Sequence, residues 1–66
     1  MPIVVIDDEE YYLLREDENG IGVISVEGFN QRFDGATSYA ELTEHPNCTP
    51  GWLDLFDAWK RDGLID

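Results

Sequence analysis

Apolar positions recur at helical spacing in the last third of the chain. At about 100° per residue, Leu55, Trp59, Trp52, Phe56 and Leu53 fall within one arc of roughly 160°. Asp54, Asp57, Arg61 and Asp62 cover the other side. Thr49 stands where an N-cap would, Pro50 fills the first helical position, and Gly63 follows the last periodic residue. Lys60 and Arg61 lie near the negative end of the dipole. The spacing predicts a helix over 50–62, with Trp52, Phe56 and Trp59 as its buried face.

The first half alternates differently. Residues 2–6 are a short β-branched run, ended by Asp7-Asp8-Glu9. EYYLLRE (10–16) and IGVISVE (21–27) flank Asp17-Glu18-Asn19-Gly20, which closes on Asn-Gly, the strongest short hairpin signal. A four-residue loop pairs Leu14 with Val23, Leu13 with Ile24 and Tyr11 with Val26. A two-residue loop on Asn19-Gly20 sets Leu14 against Ser25, which packs worse. Apolar residues occur on both strand faces, so one can cover the helices while the other stays partly exposed. Residues 28–35 read as a turn-rich connector anchored by Phe29 and Phe33. Ser38-x-x-Glu41 predicts a capping box opening a helix over 39–44, and Pro46 separates it from the last helix. Leu64 and Ile65 are expected to fold back on the core. The expectation is a single α+β domain over 1–66. A small antiparallel sheet, hairpin 10–27 with strand 2–6, packs against two C-terminal helices.

One rival reading concerns residues 9–16. A strand, the pair Asp7-Asp8 and then EYYLLRE resembles the start of a response-regulator receiver domain. That resemblance implies an acidic pair holding Mg²⁺ and a helix over 9–16. It covers about the first sixteen residues, and the later strand carrying a phosphoacceptor aspartate has no counterpart downstream.

Composition changes the picture through charge. The 66 residues hold 15 acidic and 4 basic side chains, a net charge of −11, with 42% hydrophobic residues. That apolar content suffices for a folded domain. So much like charge costs stability by self-repulsion and disfavours direct binding to nucleic acid or to an anionic membrane. The single Cys48 forms no internal disulfide and suits a reducing compartment. The start, MPIVVIDDEE, has neither a basic n-region nor a long apolar run, so a cytoplasmic protein is expected.

Candidate chemistry is sparse. Consecutive acids at Asp7, Asp8, Glu9 and Glu10 do not converge on a cation as a ligand set does. Asp17, Asn19 and Gly20 match three EF-hand loop positions, but Arg15 and Val26 occupy the first and twelfth, removing two oxygen ligands. His45 and Cys48 have H-x₂-C spacing without a second pair to complete a zinc site or an oxyanion hole to serve a nucleophile. No glycine-rich phosphate loop exists. The expectation is a non-enzymatic protein with no catalytic, cofactor or metal residues.

The distribution of charge remains. Residues 1–30 carry Asp7, Asp8, Glu9, Glu10, Glu16, Asp17, Glu18 and Glu27 against Arg15 alone. Residues 31–66 carry seven acids against Arg32, Lys60 and Arg61. Those eight N-terminal acids are the candidate partner-binding residues. A duplex-like face about 20 Å long needs on the order of a dozen charges, at one per ~1.7 Å, so one face can imitate only a short segment or a single strand. In size and charge, without any shared motif, the chain resembles small acidic phage-encoded inhibitors, including anti-CRISPR proteins. The resemblance implies a monomeric, stoichiometric blocker of a basic nucleic-acid-binding protein, such as a CRISPR effector reading DNA. An acidic immunity protein or antitoxin, and an acidic assembly subunit held through Tyr11 or Tyr12, are the competing readings.

Overall fold

Asp7 and Asp8 form the first reversal of the chain. Both have positive φ, 50° and 66°, the conformation of a two-residue hairpin turn whose twist suits the flanking strands. They join β1 (Ile3–Ile6) to β2 (Glu9–Asp17), pairing Ile6 with Glu9 and Ile3 with Tyr12. The computed structural model describes residues 1–66. β3 (Gly20–Ser25) completes a three-stranded antiparallel sheet of order β1-β2-β3. Gly20, at φ 127°, takes the one positive-φ position of the second turn. Residues 9–16 are therefore strand, which overturns the rival helix.

The hairpin register starts as expected and then slips. Asp17 pairs with Gly20, Glu16 with Ile21 and Arg15 with Gly22, but Leu13, not Leu14, faces Val23. Leu14 is a bulge: two residues of β2 oppose one of β3. Beyond it Tyr12 faces Ile24 and Tyr11 faces Ser25. Tyr12 and Leu14, two apart, both face the helices, and the bulge shifts the alternation beyond them so that Glu16 rather than Arg15 joins Leu13 on the opposite face. Arg15 lies across Gly22, where a Cβ would come 3.0 Å from its Cγ.

The connector expected over 28–35 is instead a helix. α1 (Val26–Phe33) begins at Ser25, whose hydroxyl accepts the Gly28 N–H at 3.0 Å, and ends at Asp34 in the left-handed conformation. β3 thus stops at Ser25, and Val26 and Glu27 belong to the helix. Phe29 and Phe33, four apart, are both fully buried. α2 (Tyr39–Glu44) has the expected cap, with Ser38 Oγ accepting the Glu41 N–H at 3.2 Å. α3 (Pro50–Arg61) starts after Thr49, but the Thr49 hydroxyl makes no capping hydrogen bond.

One aromatic cluster holds the helices to the sheet. Phe29 sits at its centre, with ring centroids of Tyr12, Phe33, Trp52, Phe56 and Trp59 between 4.9 and 6.2 Å away. Phe56 and Trp59 are buried as expected, whereas Trp52 is half-buried and Leu53 exposed. The C-terminal tail ties the ends together. Ile65 is buried, the Met1 amino group donates to the Leu64 carbonyl at 2.8 Å, and Tyr39 N–H donates to the Asp66 carbonyl at 2.8 Å.

Candidate partner-binding surface

All fifteen carboxylate residues are exposed and no charged residue is buried. The four cations neutralise few of them. Arg15 pairs with Asp17 at 2.9 Å and Arg61 with Asp62 at 3.6 Å. Arg32 instead lies over the Trp52 ring and Lys60 over Tyr39, at 5.5 and 5.9 Å from the centroids. Two of four cations are thus spent on aromatic faces rather than on acids.

The eight sequence-predicted residues fall into separate places. Asp7 and Asp8 are the tip of the first turn; Asp17 and Glu18 belong to the second. Pairing puts Glu9 beside Ile6 and Glu16 beside Ile21, on the sheet face away from the helices. Tyr11 shares that face, and its hydroxyl donates to Glu9 Oε2 at 3.1 Å. That hydrogen bond, with the nearby carboxylate charge, raises the Tyr11 phenol above its ordinary value. Glu10, opposite Val5, points the other way. It joins Asp8, Glu9 and Glu27 around an open groove of about 400 Å³ beside the start of α1. Asp17 is the one member with a cationic partner, and it also accepts the Asn19 N–H at 2.8 Å.

The charge is therefore bipolar. Along β2, Glu9 and Glu16 are separated by Tyr11–Leu14, about 20 Å at ~3.3 Å per residue. Between these acidic poles the outer sheet face is apolar: Val4, Ile6, Tyr11, Leu13, Ile21 and Val23. No helix covers it. Among strand residues only Tyr12, Leu14 and Ile24 belong to or pack on the buried cluster. Ile6 and Ile21 are exposed, the other four half-buried. Apolar residues at both parities of the strands were its signal, and Tyr11, one of the two candidate anchors for an assembly, lies on it. Tyr12, a candidate anchor for an assembly, is in the core instead, 8% exposed.

The remaining reactive groups have structural partners. His45 Nε2 contacts Asp34 Oδ2 at 2.7 Å while Nδ1 accepts the Asn47 N–H at 3.0 Å, and Asn47 donates to the Arg32 carbonyl. His45 thereby ties the end of α2 to the end of α1. Burial, reinforced by the Asp57 charge, pushes the Cys48 thiol up, away from the reactive thiolate. Tyr39 donates a short hydrogen bond to Asp57, the main cause of its raised phenol pKa. No three His, Cys, Asp or Glu side chains converge as metal ligands would. No helix is long and apolar enough to cross a membrane. No known protein family, curated protein or solved structure matches the chain.

Proposed function

We propose that this protein is a non-enzymatic inhibitor that occupies a basic nucleic-acid-binding surface of a partner protein. The observation that carries this reading is the exposure of every carboxylate, with six of the eight hairpin-half acids lacking any side-chain partner. Charges left unpaired at a surface stand ready for a partner's lysines and arginines. The two acidic poles, Asp7–Glu9 and Glu16–Glu18, lie about 20 Å apart, a span of about six phosphates at the ~3.4 Å spacing of one nucleic-acid strand. The molecule's longest extent is 31 Å. A single strand or a short duplex segment is therefore the object imitated. A phage anti-CRISPR protein that blocks DNA recognition by a CRISPR effector is the specific form of this reading.

Backbone strain at the first turn supports it. Asn-Gly accepts two consecutive positive-φ positions easily, whereas Asp7 and Asp8 hold them at a cost. What the aspartates add is two carboxylates at the tip of a hairpin.

The test begins with capture of the partner from a lysate of the native host by the immobilised protein. The purified partner is then titrated with the protein in the presence of short DNA. DNA is expected to compete, and affinity to fall as salt rises, because surface pairs are screened over about 8–10 Å. A ternary complex of partner, DNA and this protein, with neither affinity reduced, would overturn the reading.

A further inference from the structure

We infer that the outer face of the sheet is itself the docking surface, and that its occupant is a protein surface with an apolar centre ringed by lysine and arginine. The inference rests on the reading above that the partner is basic, and adds that charge alone does not make the contact. The face runs from the Asp7–Glu9 pole to the Glu16–Glu18 pole, with Val4, Tyr11, Leu13 and Val23 between them. Apolar side chains on an unpartnered sheet face are exposed at a cost in hydration, and that cost is recovered when a partner covers them. The poles, about 20 Å apart, lie beyond the ~8 Å screening length, so each attracts cations independently.

Charge decides which occupant fits. A second copy would bring another −11 against the same rim. Two strand spacings of about 4.8 Å and five residues of ~3.3 Å make a patch of only a few hundred Å² with its side chains, below the ~800 Å² per partner of a standard interface. The apolar patch is thus too small to hold a like-charged copy, and the acidic poles must share the contact. A nucleic-acid chain is repelled by the rim. A basic surface with an apolar centre satisfies both parts, the centre supplying desolvated contact and the rim fixing orientation.

The experiment uses two synthetic peptides of equal length and equal positive charge, one alternating arginine with leucine, the other arginine with serine. Each is titrated into the intact protein by amide-resolved NMR. The leucine peptide is expected to bind about tenfold more tightly, shifting amides of Val4, Tyr11, Leu13 and Val23. Ile21→Thr and Val23→Thr keep β-branched side chains in β3 and should retain the fold. With both in place, the two peptides should bind within about twofold of each other. Leu13→Ser, verified by its unchanged amide pattern elsewhere, should act alike. Equal affinities for the original protein, or shifts confined to the Glu10–Glu27 groove or the helices, would overturn the inference. Concentration-dependent shifts of the same amides without peptide would identify a second copy as the occupant and overturn it too. The mimicry reading fails separately, through the ternary complex with DNA. A protein that distinguishes the peptides and still fails to compete with DNA would keep this face and lose that function.

Discussion

Replacing Phe29 by alanine tests the fold at its least anticipated point. The side chain is completely buried, and five aromatic rings lie within 6.2 Å of its centroid. Four of them belong to two other elements: Tyr12 in β2 and Trp52, Phe56 and Trp59 in α3 make Phe29 the joint between sheet and helices. Removing a buried phenyl ring costs about 3–5 kcal/mol, since the cavity it leaves collapses only partly. At roughly 0.05–0.15 kcal/mol per residue, a chain of this length holds about 3–10 kcal/mol in total. Phe29→Ala therefore removes between a third and all of the stability. With a urea slope of about 1 kcal/mol per M for so small a domain, the midpoint moves by ~3–5 M.

Trp52 and Trp59, both in edge or tilted contact with Phe29, report the transition by fluorescence. Phe29→Leu separates burial from ring geometry. It keeps most of the apolar volume and gives up three edge-to-face pairs, with Tyr12, Trp52 and Phe56, worth ~0.5–1.5 kcal/mol each, so about 1.5–4.5 kcal/mol is lost. A midpoint for Phe29→Ala within about 0.3 M of the original would refute the reasoning. The α1 face would then be dispensable, and residues 28–35 would behave as the connector that their sequence suggests.

Asp8→Gly relieves a non-glycine residue at φ 66° and is expected to raise stability by up to about 1 kcal/mol, or ~4–8 °C in Tm, measured by thermal melt. A lowered Tm would mean that the aspartate stabilises its own turn. The Tyr39 phenol, held up mainly by its hydrogen bond to Asp57, favours the protonated form in the folded state. Its contribution to stability is therefore complete below the ordinary phenol value and is lost as pH rises through the higher folded value. Phenolate absorbance in a pH titration should show one tyrosine fewer titrating late in Asp57→Ala than in the original; an unchanged curve would place Asp57 elsewhere.

The elements with strong local signals were legible. The 3.6-residue period with Pro50 and Gly63 marks α3, Ser38 and Glu41 mark α2, and the alternating runs around Asn19-Gly20 mark the hairpin. α1 was not, because Gly28 and Asn30 are poor helix formers and its period is carried by Phe29, Phe33 and Val26, the last of which reads equally as the end of the IGVISVE strand run. Its stability comes from the Ser25 cap and from burial of those two rings, and burial is a tertiary fact. The bulge at Leu14 was hidden for a related reason: nothing in EYYLLRE distinguishes Leu13 from Leu14 until Tyr12 must reach Phe29 and Trp59. The acids could be named from sequence, but their grouping depends on register. One residue of slip decides that Leu13 and Glu16 share a face.

Whether acidity here serves binding or only keeps molecules apart turns on placement, since mutual repulsion depends mainly on net charge. A carboxylate anywhere on the surface disperses the chain, but only one at a pole of the sheet can meet a partner docked there. Asp8→Asn, Glu16→Gln and Glu18→Gln remove three acids from the poles, and asparagine tolerates the positive φ at position 8. Asn30→Asp, Gln31→Glu and Ala40→Glu restore three on the exposed surface of α1 and α2, leaving the net charge at −11. The combined variant should melt within a few degrees of the original and remain as well dispersed at neutral pH by light scattering. Its affinity for the partner should nevertheless fall by at least about tenfold, because three rim pairs at ~0.5–1 kcal/mol each are lost and their replacements face away. Undiminished affinity would refute the placement reasoning, and the carboxylates would then act only through the field of the whole molecule.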